Sequence, residues 1–168
     1  AFKHIEDDLK LKLELFHSEI KNEIFFNTNT FSNTNFDTSE KNGVEVSIYK
    51  NFGLLYGNIN YVYTDARAKL DSKVYKTSGQ PHHIVQTSLG TQFDSALLPL
   101  PHHAITLSHK YKSKSYALDD FDNSLGEQQA YNSTVFNYQL SDQKNWTIDF
   151  SIQNIFEIIA DISIKQTQ

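Results

Sequence analysis

Apolar residues recur at every second position through much of this chain. In residues 145–157, Trp146, Ile148, Phe150 and Ile152 fall on one parity, while Thr147, Asp149, Ser151 and Gln153 fall on the other. A period of two marks a strand with one apolar and one polar face. The same rule predicts strands over 43–52 (Val44, Val46, Ile48), 54–66 (Ile59, Tyr61, Tyr63) and 83–94 (Val85, Leu89, Phe93). It predicts two more over 103–116 (Ile105, Leu107, Tyr111 against Ser108, Lys110, Lys112) and 130–140 (Phe136, Tyr138 against Ser133, Asn137). The first of the seven strands, 9–26, sets Leu9, Leu11, Leu13 and Leu15 against Lys10, Lys12 and Glu14. Leu, Lys and Glu would also suit a helix, but strict alternation favours a strand. The apolar parity then changes at Ile20, Ile24 and Phe26, which predicts a β-bulge near Phe16; without it Lys21 and Glu23 would share the apolar side.

The links between these strands alternate in length. Long polar links fall at about 27–42, 67–82 and 117–129, and short ones at about 52–53, 95–102 and 141–144. Short turns at one end and long loops at the other are the layout of an outer-membrane β-barrel, with apolar faces toward lipid. A self-contained soluble barrel or sandwich that binds a ligand, or a surface adhesion module, would also alternate, with the apolar faces forming a core.

Composition narrows the field further. The chain has 168 residues, enough for one domain, and a net charge of -5, which offers no basic footprint for nucleic acid. Cysteine is absent, which excludes disulfides and thiolate metal sites. No apolar run reaches the length of a membrane-spanning helix. Methionine is absent and the start, "AFKHIEDDLK", is too charged for a secretory signal, so a processed chain or a segment of a longer protein is expected.

The candidate chemistry is sparse. His82-His83 and His102-His103 each follow a proline, and adjacent strand residues point to opposite faces, so neither pair chelates one ion alone. "LDDFDN" (118–123) lacks the glycine and distal glutamate of a calcium loop and reads as a solvated outer loop. No nucleophile–base constellation appears, so neither an enzyme nor a cofactor is expected.

Taken in order, "LFHSEIKNEIFF", "NGVEVSIY", "NINYVYTDAR", "PHHIVQTSLG", "KYKSKSYALDDFDN", "AYNSTVFNYQL" and "NWTIDFSIQNIFE" make the chain resemble the carboxy-terminal barrel portion of TonB-dependent outer-membrane receptors. The Gly43-Val44-Glu45 element resembles the start of a descending strand after an outer loop. Tyr63 to Ala66 resembles the end of an ascending one, and Asn154-Ile155-Phe156 precedes a last outer loop. The resemblance implies an all-β fold: an antiparallel up-and-down transmembrane β-barrel, of which residues 1–168 supply about seven strands. The plug, the TonB-binding segment and the earlier strands have no counterpart here, and after Phe156 "EIIADISIKQTQ" lacks a closing strand with its terminal aromatic. The implied function is uptake of a siderophore-like metal chelate or similar bulky nutrient. The implied partners are an extracellular ligand such as a ferric siderophore or a cobalamin-like nutrient, TonB acting through the plug, and outer-membrane lipid. Ligand contacts carried over from the family fall on Asp65, Arg67, Lys69, Tyr116, Asp119 and Asp120.

Overall fold

The computed structural model describes residues 1–27, 30–96, 100–116, 126–142 and 144–155, with 159–166 as backbone. Among these, every regular element is a strand: β1 (Phe2–Glu6), β2 (Leu9–Asn27), β3 (Ser32–Asn51), β4 (Leu55–Leu70), β5 (Lys73–Lys76), β6 (His83–Asp94), β7 (His102–Lys112), β8 (Ser115–Tyr116), β9 (Glu127–Gln128), β10 (Tyr131–Ser141), β11 (Trp146–Gln153) and β12 (Ile159–Gln166). Ten form one sheet in the order β1-β2-β3-β4-β6-β7-β10-β11-β12, with β5 also on β4; β8 and β9 pair separately. All pairings are antiparallel. Neighbours in sequence are neighbours in space, the up-and-down arrangement.

Register carries each face from strand to strand. One row runs Leu13–Val46–Tyr61–Val85–Tyr111, and a second runs Lys50–Gly57–Leu89–Leu107–Phe136–Ile152. On the opposite face the row is Lys12–Ser47–Asn60–Gln86–Lys110–Ser133. Among the described residues nothing packs on the apolar face. Leu15 is 74% exposed, Leu89 52% and Leu107 46%, and among the described residues only Phe36, Ala66 and Ala68 are buried apolar side chains. A soluble sandwich would have covered those rows; this sheet leaves them for another apolar phase.

Three sequence expectations are corrected. No bulge forms near Phe16: β2 and β3 keep one register from Leu9↔Lys50 to Lys21↔Thr38, and after an interruption at Asn22 (φ 55°) they resume it at Glu23↔Phe36. The polar stretches 32–42 and 67–70 are strand rather than link, so Gly43 sits in mid-strand and β4 runs on past Ala66. Residues 159–166, read as no strand, pair along β11 from Ile159↔Gln153 to Gln166↔Trp146. The first two share a cause. A barrel strand needs about 9–11 residues to cross lipid, whereas β2 has 19 and β3 has 20. Their upper halves stand in water, where Lys21 and Glu23 need no shelter and pairing demands no apolar face.

Two inward glycines are covered by rings. Phe16 lies over Gly43, where an added Cβ would also strike the Tyr63 carbonyl, and Tyr56 lies over Gly90 while hydrogen-bonding Thr106 Oγ1 at 3.1 Å. Gly57, on the outer face, is different: a Cβ there meets only Ser88 O at 3.5 Å and Leu89 Cδ1 at 3.8 Å. Gly43→Val is therefore expected to lose about 1–3 kcal/mol through overpacking, while Gly57→Val is neutral or stabilising. Urea unfolding in detergent, read by heat-modifiable gel mobility, separates the two.

At the short-turn end, Asp142 Oδ1 accepts the backbone N–H groups of Lys144 (2.9 Å), Asn145 (2.8 Å) and Trp146 (2.9 Å). These bonds, that of Trp146 first, hold its carboxyl below the usual carboxylate range. A depressed pKa contributes stability that is present above the ordinary value near pH 4 and is lost as pH falls through the folded value. Asp142→Asn keeps an acceptor and should abolish that acid-side loss. Asp142→Ala should weaken the β10–β11 turn at every pH, and thermal melting at a series of acidic pH values reads both.

Candidate functional site

Two aromatic belts bound the apolar face. At the long-loop end, the Tyr61 and His83 rings stack at 6.1 Å with Tyr61 Oη and His83 Nδ1 hydrogen-bonded at 2.9 Å, and Tyr63 packs on His83 at 5.3 Å. At the short-turn end, Phe93, His103, Tyr138 and Phe150 stack across β6, β7, β10 and β11 with centroids 4.9, 6.0 and 6.1 Å apart. Along β6 from His83 to Phe93, at about 3.3 Å per residue and about 40° of tilt, the belts stand ~25 Å apart, the height of a lipid-facing band. The histidine pairs split between faces: His83 and His103 join the belts, His82 Nδ1 bonds Thr64 O at 2.9 Å, and His102 Nδ1 bonds Asp94 Oδ1 at 2.6 Å.

The other face is a wetted wall. Lys12 Nζ lies 2.8 Å from Glu14 Oε2 and 3.4 Å from Glu45 Oε1, and Gln139 Nε2 donates to Asp149 Oδ1 at 2.7 Å. Toward the long loops, strands and loops enclose a recess of about 570 Å³ lined by Lys110, Lys112, Ser115, Gln128, Tyr131 and Ser133. Hydrogen bonds tie its frame together: Ser113 exchanges bonds with His83, and Gly79 N–H donates to Tyr116 O at 3.0 Å. Among the described residues neither Lys110 nor Lys112 is in an ion pair, whereas Lys114 reaches Glu127 at 3.9 Å. Two half-buried lysines with hydroxyl and amide neighbours suit an anionic group. The signal was readable as Lys110, Lys112 and Lys114 sharing one parity.

The sequence-derived candidates are dispersed. Asp65, Arg67 and Lys69 share the parity of Tyr61 and Tyr63, on the outer side above the upper belt, opposite Asn42, Glu40 and Thr38. Arg67 grips Asp65 through Nη2–Oδ2 (2.8 Å) and Nε–Oδ1 (3.1 Å); these hydrogen bonds, then the carboxylate charge, raise the guanidinium above its ordinary pKa. Tyr116 lies beside the Lys76 ammonium, 5.9 Å from ring centroid to Nζ, in a small recess with Gln80 and His82. Asp119 and Asp120 lie outside the described residues. The structure thus joins Asp65 with Arg67 and gathers none of the others around a common point.

An antiparallel sheet with a belted apolar face and a polar wall defines a chain of an outer-membrane β-barrel. The family profile for TonB dependent receptor-like β-barrels matches residues 2–155, and the chain belongs to that family. No curated protein matches it in sequence. Among solved structures it is similar to the ferric yersiniabactin uptake receptor of Yersinia pestis, with TM-score 0.74, 16% identity, and coverage of 96% of this chain and 26% of that one. It is similar to the FrpB iron transporter of Neisseria meningitidis (TM-score 0.69, 13% identity, 95% and 26%) and to the ferric-catecholate import receptor of E. coli (0.60, 15%, 90% and 21%). The chain thus spans about a quarter of each receptor's length, and at such identities the likeness is one of fold.

Trp146, the only tryptophan in the chain, is 46% exposed on the outer parity at the short-turn end. Lipids brominated near the glycerol should quench its emission more than lipids brominated at the chain terminus. In the receptor that carries this chain, the contribution of Trp146 is read as the wild type minus Trp146→Phe.

Proposed function

We propose that this chain is the carboxy-terminal part of a receptor barrel that binds a bulky anionic nutrient, such as a ferric siderophore, outside the cell and admits it by TonB-dependent uptake. Force would act through a plug inside the barrel. The carrying observation is the recess beneath the long loops, where Lys110 and Lys112 face the lumen without carboxylate partners among the described residues. In a chain of net charge -5 such a concentration of unpaired cations favours a ligand. The family and the three iron-linked receptors of similar fold support this reading over an enzyme. Tyr116, Asp119 and Asp120 would supply further ligand contacts.

The test uses the receptor that carries this chain, in outer-membrane vesicles presented with radiolabelled ferric catecholates, ferric hydroxamates and ferric citrate. Lys110→Gln/Lys112→Gln should weaken binding of the cognate chelate by about tenfold or more for each lost charge-assisted contact. Added salt should weaken the wild type and leave the double variant nearly unchanged. Equal binding by both, or uptake that persists without TonB, would remove the proposal.

A further inference from the structure

The outer face carries a second recess, of about 430 Å³, bounded by Ile48, Lys50, Phe52, Ile59, Leu89 and Leu107. It exists because Gly57 presents no side chain between Lys50 and Leu89, its cross-strand partners. The backbone does not require a glycine there, and a Cβ would meet nothing closer than ordinary contact. His109 and Thr134, hydrogen-bonded at 2.8 Å, stand at the far end of the slot.

The strand ends place this slot in the membrane. Lys50, Gly57, Leu89 and Leu107 share one cross-strand row, but rows in a tilted barrel do not share one depth. Below Lys50, β3 ends at the next residue, Asn51, and a short turn exposes Phe52 and Leu54. Below Leu89, β6 runs on to Asp94, and β7 reaches Leu107 only after rising from His102. Lys50 is therefore at headgroup level on the short-turn side, and the slot climbs from it into the apolar band. From β3 to β11, Lys50 is the one Lys, Arg, Asp or Glu on the outer parity between the belts, among the described residues. It is in no ion pair there; Glu6, beyond Leu9 on the same row, pairs with His4 at 3.3 Å.

We infer that this slot is a binding site for a phospholipid of the inner (periplasmic) leaflet, with Lys50 Nζ on the phosphate and an acyl chain along Ile48, Ile59, Leu89 and Leu107. A cation at the interface with an apolar channel rising from it matches a glycerophospholipid in both charge and direction. The site is independent of what the lumen binds, so it stands or falls apart from the uptake reading.

The experiment is native mass spectrometry of the receptor carrying this chain, extracted from its outer membrane in mild detergent. The wild type should retain a phospholipid-sized adduct. Lys50→Gln should retain it about fivefold less, the weight of one interfacial lysine. Gly57→Val, which fills the slot and favours the strand, should lose it while melting at or above the wild-type temperature. Equal retention by all three, or none by the wild type, overturns the assignment. A detergent-stable dimer that Gly57→Val dissolves would overturn it too, making the slot a seam between two copies.

Discussion

Within lipid a strand has no water to satisfy its N–H and C=O groups, so each must find them on the next strand. In this chain that requirement is met from β1 to β12 by one antiparallel ladder, whose two end strands each keep one edge without a neighbour among the described residues, and everything else follows from its register. Because side chains alternate, a slip of one residue would turn Lys12, Glu14 and Lys110 to lipid and the leucines of β2 to water. Each lysine so displaced would cost roughly 2–4 kcal/mol near the bilayer midplane. The polar wall and the apolar face are one fact seen from two sides.

The parts of the fold legible in the sequence are those immersed in lipid on one side. Val44, Val46, Ile48, Ile59, Tyr61, Val85, Leu89, Leu107, Phe136 and Phe150 lie on the face their alternation assigned, because only between the belts does one parity have to be apolar. Above the belts the rule lapses. "SNTNFDTSEKN" forms strand by backbone pairing above the belts, with Phe36 its one buried side chain, packed on Phe25, and leaves no alternating trace. The change of apolar parity at Ile20 has the same origin: the side chains alter because the solvent does, while the register continues.

The binding features were harder to read for a related reason. Asp65, Arg67 and Lys69 were candidates through the family resemblance alone; in the structure they share the outer parity of β4, and Arg67 closes on Asp65. Lys110 and Lys112 looked like ordinary polar-face residues. Their meaning depends on what β8, β9 and residues 79–81 bring across from them, a matter of tertiary approach that no local period encodes.

Three glycines on neighbouring strands show how far partner identity governs outcome. Gly43 and Gly90 face aromatic residues across the ladder, and the rings of Phe16 and Tyr56 lie down over them, flattening the inner wall. Gly57 faces Lys50 and Leu89, a flexible cation and a short branched chain that leave its place open. The inner pair leaves the room in which those two rings lie flat against the wall. The outer one notches a surface that lipid must cover, and tilt alone decides that the notch opens beside a headgroup at Lys50 and ends among acyl chains at Leu107. The same ladder that hides the backbone from lipid therefore also sets where a lipid can be held.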